Sequence, residues 1–382
     1  MSVEYKNLEA VCEILDSKRI PITAKDRKAG IYPYYGANGL QDYVDDYIFD
    51  EELVLLAEDG GNFGSVERPI AYRVSGKCWV NNHAHVLRAK KGIDTDYLCY
   101  ALMFYNTEGL VNGATRQKLT QAAMRKMRIP YRTYEEQLEI VSKFKLIFNT
   151  IAERKEELSM LDELVKSRFI EFFGDPKLNE KGWNQCVISD HYTVKGGKRI
   201  PKGMGYADEI TEHPYLRASD MKNETILDDD IHYIDEAVFE HIKRYTVSGG
   251  DIYLTNVGVN LGMAGVIPEK YNGANLTENA VKLVPKKDGI IDGIFLAHYI
   301  NSPGIQEYIN ERKMAVGVPK LAIFRIETMP LLLPPIELQK SFNAFVEATD
   351  KSKYYSSQSY NYCRQAEKYY RQEWMTCQIS TF

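Results

Sequence analysis

The sequence predicts an α+β fold with a pseudo-two-fold internal repeat: two similar strand-rich domains separated by two long antiparallel coiled-coil helices. Three observations predict it. Lys18-Arg19-Ile20-Pro21 recurs as Lys198-Arg199-Ile200-Pro201. Further segments match in the same order through both halves. Each half then ends in a long stretch with a helical seam.

The matches run as follows. After each KRIP a turn-rich segment leads to Pro33-Tyr34-Tyr35-Gly36 or to Pro214-Tyr215-Leu216-Arg217. LLAEDGGNFG (55–64) parallels YLTNVGVNLG (253–262), each an apolar run breaking into a loop with glycines and asparagine. HVLRAKKGIDTDYLCYAL (85–102) matches VKLVPKKDGIIDGIFLAHYI (281–300): a strand-like run, a Lys-Lys turn and a helix carrying aromatics. GATRQKLT (113–120) parallels VGVPKLAI (316–323), and the halves leave through Arg128-Ile129-Pro130 and Leu333-Pro334-Pro335. EEQLEIVSKF then faces IELQKSFNAF, with Gln137 and Gln339 in register. The expected divisions are a first domain over 1–133, a helix over 134–175, a second domain over 176–335, a helix over 336–376 and a tail over 377–382.

In the first helix Val141, Phe144, Phe148, Ile151, Leu158, Val165, Phe169 and Phe172 follow alternating three- and four-residue steps, interrupted by Lys155 and Asp162. Gly174-Asp175-Pro176 stops it. In the second, Phe342 and Phe345 give way to Thr349, Ser352, Ser356, Ser359, Cys363 and Ala366, beside a stripe of Tyr355, Tyr362 and Tyr369. A bulky seam against a small one suits close pairing. A helix of this length would span roughly 60 Å and serve as a spacer.

The net charge of −5 conceals local clusters. Arg116, Lys118, Arg125, Lys126, Arg128 and Arg132 occupy a stretch without acids, as do Lys195, Lys198, Arg199 and Lys202. Lys18, Arg19, Lys25, Arg27 and Lys28 face Asp26 alone. Such clusters fit a phosphate-facing surface and equally a mixed solvated one. The 6 cysteines are scattered with no CxxC pair, as expected of free thiols in a reducing cytoplasm. No apolar run is long enough for a bilayer, and the N-terminus carries acids where a signal peptide needs an apolar core. A cytoplasmic location is expected.

Catalytic motifs are missing from the sequence. It has no P-loop, no G-x-S-x-G elbow and no H-E-x-x-H. Its Pro-Pro follows leucine, so the Asn/Asp-Pro-Pro-aromatic stretch of a DNA methyltransferase is absent, and Glu58-Asp59 lacks the E-x-K of a nuclease. His83 and His85 would share a strand face without an acidic or cysteine neighbour, so no metal site is expected. The chain reads as a binder without catalytic residues of its own.

KSRFIEFFGDPKLNEKGW (166–183) resembles the central conserved region of specificity subunits of type I restriction–modification enzymes. So do the repeated exits over 113–141 and 316–342, and the Gly-Gly-Lys opening of the second half. One departure is IPYRTYEEQ, where the family usually has a second proline. The resemblance covers essentially the whole chain. It implies two target-recognition domains, each reading one half of a split double-stranded DNA sequence. The helices would set the half-site spacing and dock two methyltransferase (modification) subunits, with restriction/translocase subunits joining them. S-adenosylmethionine for adenine methylation, and ATP and Mg for cleavage, would belong to those partners in host defence. This chain would bind no cofactor and no membrane. A two-domain protein-binding scaffold is the alternative, and a cryptic nuclease or methyltransferase a third.

On this reading Lys and Arg hold phosphates while other side chains reach base edges in the major groove. Expected phosphate contacts are Lys18, Arg19, Arg116 and Lys118, then Lys198, Arg199, Lys313 and Lys320. Lys18-Arg19 and Lys198-Arg199 are expected to be equivalent. Expected base readers are Asn62, Asn81, Asn82, His83 and Gln117, then Arg217, Asn256, Asn260 and Asn279. Each asparagine is also a plausible turn residue, and Tyr34 and Tyr35 fit a core as well as a DNA face. Phe169, Phe172, Phe173, Tyr355, Tyr362 and Tyr369 are the expected docking residues.

Overall fold

The computed structural model describes residues 4–113, 116–287, 289–314 and 317–374. The tail 377–382, Cys377 and parts of the paired segments 113–120 and 316–323 lie outside these. Two compact units form, residues 1–156 with 357–382, and residues 157–356.

The first unit carries β1 (Glu4–Asn7), β2 (Cys12–Ile14), β3 (Leu53–Ala57), β4 (Ala71–Val74), β5 (Ala84–Ala89), α1 (Thr95–Met103), β6 (Arg128–Tyr131) and the first part of α2 (Tyr134–Phe173). Strands β2, β5, β3 and β4 lie side by side in that order, all antiparallel, and β1 pairs with β6. Every residue of β3 is buried, which is why LVLLA is continuously apolar and not alternating. Strand Ala29–Gly36 runs parallel to Lys77–Val80 in a second four-stranded sheet. Tyr34 is buried there and donates to the Ile22 carbonyl at 3.2 Å, a core role.

The second unit repeats this plan with β7 (Asn184–Val187), β8 (Tyr192–Gly196), β9 (Ile252–Thr255), β10 (Ala264–Val266), β11 (Ala280–Pro285), α3 (Gly293–Asn301), β12 (Pro330–Leu333) and the first part of α4 (Ile336–Trp374). Strand order β8-β11-β9-β10 and the β7–β12 pair reproduce the first unit. Tyr215 takes the place of Tyr34, buried and donating to the Lys198 carbonyl at 2.9 Å.

The repeat extends to single hydrogen bonds. Asp94 caps α1 by accepting from Tyr97 N, and Asp292 caps α3 by accepting from Phe295 N. Gln137 and Gln339 are fully buried, and their Oε1 atoms accept from Asp94 N and Asp292 N, both at 2.8 Å. Their Nε2 atoms donate to Arg132 O at 3.0 Å and Pro334 O at 2.8 Å. One glutamine thus ties each long helix to its domain, its carboxamide accepting from one backbone N–H while donating to a carbonyl.

In the first unit the start of α2, at Ile140, Val141 and Phe144, shares a core with Tyr370 from the end of α4. In the second, Val165, Phe169 and Phe173 from the end of α2 share a core with Phe342 and Val346 from the start of α4. The helices therefore run antiparallel. The α2 seam is buried at both ends and half-buried at Phe148, Ile151 and Leu158. Phe169 and Phe173 are 3% and 2% exposed, with ring centroids 5.9 and 4.7 Å from Phe295 and 5.5 Å from Phe342. This corrects the expectation that they dock a partner: their surface is already taken by α3 and α4. Phe172 is half-buried at 6.0 Å from Phe342. Tyr355, Tyr362 and Tyr369 are 69%, 74% and 60% exposed. Among the described residues no helix is long and apolar enough to cross a membrane.

Candidate nucleic-acid interface

At the end of β3 in the first unit, three loops are stitched together by backbone bonds. Glu58 N and Asp59 N donate to His83 O at 2.8 and 3.4 Å, Leu119 N to Glu58 O at 2.7 Å, and Gly60 N to Gln117 O at 3.1 Å. The second unit repeats the pattern. Asn256 N and Val257 N donate to Asn279 O at 3.0 and 3.2 Å, Leu321 N to Asn256 O at 2.8 Å, and Gly258 N to Pro319 O at 2.9 Å. Hydrogen bonding thus equates Glu58 with Asn256, His83 with Asn279, and Lys118 with Lys320. The turns match too: Asn81 Oδ1 accepts from His83 N at 2.8 Å, and Thr277 Oγ1 from Asn279 N at 3.4 Å. Asn82 and Glu278 hold the same place between them.

The side chains on this shared frame differ. In the first unit Arg19 Nη1 lies 2.7 Å from both Glu58 Oε2 and the Ala84 carbonyl, and Nη2 lies 3.6 Å from Asp16. Buried His85 places Nδ1 2.7 Å from Asp16 Oδ2 and Nε2 2.9 Å from Leu119 O. Burial alone would raise the Asp16 carboxyl, but bonds from His85, Val86 N and Gln121 hold it below the ordinary carboxylate value. Lys118 Nζ reaches Glu58 Oε1 at 3.1 Å. Asp59 Oδ1 lies 2.6 Å from both His83 Nδ1 and Arg116 Nη2, so Arg116 projects from an anchored position while remaining well exposed. Gly113 is required here: a Cβ would meet the Arg116 carbonyl at 2.4 Å.

In the second unit the partners of that network are replaced: extending the strand registers sets Gly196 opposite Val281 where Asp16 faces His85, and the backbone bonds set Asn256 where Glu58 stands. Arg199, at the register of Arg19, turns outward, 78% exposed, and bonds Glu278 Oε1 at 2.6 Å. Gly197 allows the KRIP segment to lie against the 277–279 turn, since a Cβ there would sit 2.0 Å from the Thr277 carbonyl. Together Arg199, Tyr206, Tyr215, Arg217, Glu278 and Asn279 line a cleft of about 340 Å³. Arg217 is fixed within it by Asp220 at 2.7 Å and Asp230 at 3.0 Å.

Several expectations change. Arg19 faces inward with its guanidinium bound to carboxylates, so it is a structural ion pair and not the equivalent of Arg199. Asn81 and Asn256 are 3% and 5% exposed and hold loops, Asn81 bonding Gln41 and Asn256 the Leu321 carbonyl. Neither offers a surface to a base. His83 and His85 do not share a face, and each has an acidic neighbour after all. Asp16, Glu58 and His85 lie within ligand spacing of one another, their donor atoms within 4.8 Å. Arg19 already supplies the positive charge such a cluster would ask of a metal.

The other candidates remain at the surface or its margin. Lys18, Lys198, Lys320, Arg116, Asn82 and Gln117 are exposed. Lys313 is half-buried beside Asn310 at 2.7 Å. Asn62, Asn260 and Asn279 are half-buried, Asn62 and Asn260 with long contacts of 3.4 and 3.5 Å to the Pro69 and Ala218 carbonyls. Sequence reasoning passed over Glu278, although aligning NNHA (81–84) with TENA (277–280) places it opposite Asn82.

Comparison with known proteins fits this repeated design. The model of the type I restriction modification DNA specificity domain matches residues 2–161 and again 180–358. A Haemophilus influenzae protein named as a type I restriction enzyme specificity subunit is 34% identical over 204 residues, 52% of each chain. The MjaIX specificity subunit of Methanocaldococcus jannaschii is 23% identical over 286 residues, 68% of this chain and 63% of that protein. The chain thus spans about half to under two thirds of these relatives' length. In fold, it is similar to the S subunit of a type I restriction–modification system from M. genitalium, with a TM-score of 0.63 at 13% identity, covering 99% of this chain and 97% of that one. It is also similar to a chain from work on complex assembly and conformational transition of the type I R-M system, with a TM-score of 0.57 at 14% identity, covering 99% and 100%. Two matched copies of one domain, on two units with the same strand order, lead to one conclusion: the chain belongs to the type I restriction–modification DNA specificity family.

Proposed function

We propose that the chain is the sequence-reading subunit of a type I restriction–modification complex, each compact unit recognising one half of a split duplex sequence. Methylation and cleavage would be carried out by modification and restriction subunits. The observation that carries this reading is the equivalence of the two loop frames: Lys118 and Lys320 stand at one hydrogen-bonded position, with His83 and Asn279 at another beside them. Cations at fixed places would hold phosphates, and the variable side chains among them would sample base edges. The exposed Tyr355, Tyr362 and Tyr369 are the remaining candidates for partner docking.

The test is a mobility-shift titration of the chain, assembled with its host's modification subunit, against a random duplex pool at several salt concentrations. Lys118→Ala and Lys320→Ala should weaken binding to all duplexes and each lower the salt slope by about 0.9. Salt-insensitive or absent duplex binding would favour the protein-scaffold reading instead.

A further inference from the structure

The cleft of the second unit places Glu278 against Arg199, beside an Arg217 already paired with Asp220 and Asp230. Glu278 sits on the turn between Thr277 and Asn279, its Oε2 3.2 Å from Thr277 Oγ1 and its Oε1 capped by Arg199. A carboxylate facing a polyanion is repelled, so its place there demands a bonding role that outweighs the repulsion. A carboxylate accepts hydrogen bonds and cannot donate them. In the major groove it is matched by an exocyclic amine, presented by cytosine N4 or adenine N6.

The first unit supplies the control. Its equivalent turn carries exposed Asn82, which both donates and accepts, and Arg19 is held inside by Glu58 and Asp16 rather than turned toward it. At this position the two frames therefore differ in hydrogen-bonding character, a side chain that donates and accepts in one and an acceptor in the other.

Resting on the function proposed above, we infer that Glu278 is a specificity-determining residue of the second unit, accepting from an exocyclic base amine, with Arg199 as its counter-ion in the free chain. On binding, Arg199 moves to a phosphate. Its high exposure leaves it free to rotate, whereas the turn fixes Glu278.

The experiment maps the sequence selected from a random duplex pool, and the methylated motif, for the chain assembled with its host's modification subunit. Glu278→Ala should abolish the preference for an amine-bearing base at one position of one half-site, a loss of about 5- to 150-fold in discrimination, and the base lost identifies cytosine or adenine. The other half-site should persist, which also reports that the variant is folded. Arg199→Ala should leave the motif intact and lower the salt slope by about 0.9. An unchanged motif in Glu278→Ala, or equal loss in both half-sites, overturns the assignment while the proposed function stands. If the unmutated complex selects no split motif, the proposed function fails and the assignment with it.

Discussion

The second arginine of the KRIP repeat has two fates. In the first unit Arg19 belongs to a buried cluster with Asp16, Glu58 and His85, and in the second Arg199 lies at the surface against Glu278. The adjoining strands share one register, but Asp16–Lys18 forms a 3-10 turn where the second unit's strand continues to Gly196, so both the local backbone and the residues around it differ. Asp16 and Glu58 draw the guanidinium inward, and Gly196 and Asn256 do not. One frame can thus be stabilised by a charge in one copy and leave that charge available for binding in the other.

The largest expected effect tests the inward fate. Asp16→Ala or Arg19→Ala strands buried charge and should cost about 3–5 kcal/mol in denaturant unfolding. Arg199→Ala should leave the unfolding midpoint essentially unchanged. Equal effects at positions 19 and 199 would erase the distinction drawn here.

A second test concerns what the units share. Gln137→Ala and Gln339→Ala each leave buried backbone groups without partners and should cost about 1–3 kcal/mol apiece, to a similar degree. A large cost at one site only would mean that the helix anchor is not a true repeat.

Acidification offers a finer contrast. Asp16 is held below its ordinary value of 3.8, so the stability it contributes is present above that value and is lost as pH falls through the lower folded one. Asp16→Asn should flatten the acid limb of an unfolding-against-pH curve. In the second unit burial raises Glu224 above its ordinary 4.5, so its contribution is present below 4.5 and is lost as pH rises through the raised value. Glu224→Gln should therefore flatten the curve on the opposite side, and matching slopes from the two variants would contradict the assigned signs.

The long helices and the repeat were legible because they rest on local pattern. The three- and four-residue spacing of Val141, Phe144, Val165 and Phe169 needs only the helix period, and the register of Gln137 with Gln339 needs only counting. Which element covers a stripe is not local. Phe169 and Phe173 are covered by Phe295 and Phe342, far along the chain, so the same apolar face that marks a helix also suggests a docking surface. The candidate site was legible as a set of loops but not residue by residue. The direction of Arg19 depends on Glu58, 39 positions away, and the burial of Asn81 and Asn256 depends on Gln41 and Leu321. Charge counting missed Glu278 because an acid counts against a phosphate-facing surface until its place opposite Asn82 is seen.

The most direct measurement of the central claim is the sequence selected from a random duplex pool by the full chain with its modification subunit. Two independent reading units predict two blocks of preferred bases separated by unspecified positions, with substitutions in the first unit altering one block and substitutions in the second altering the other. A single continuous block, or selection of no sequence at all, would contradict it.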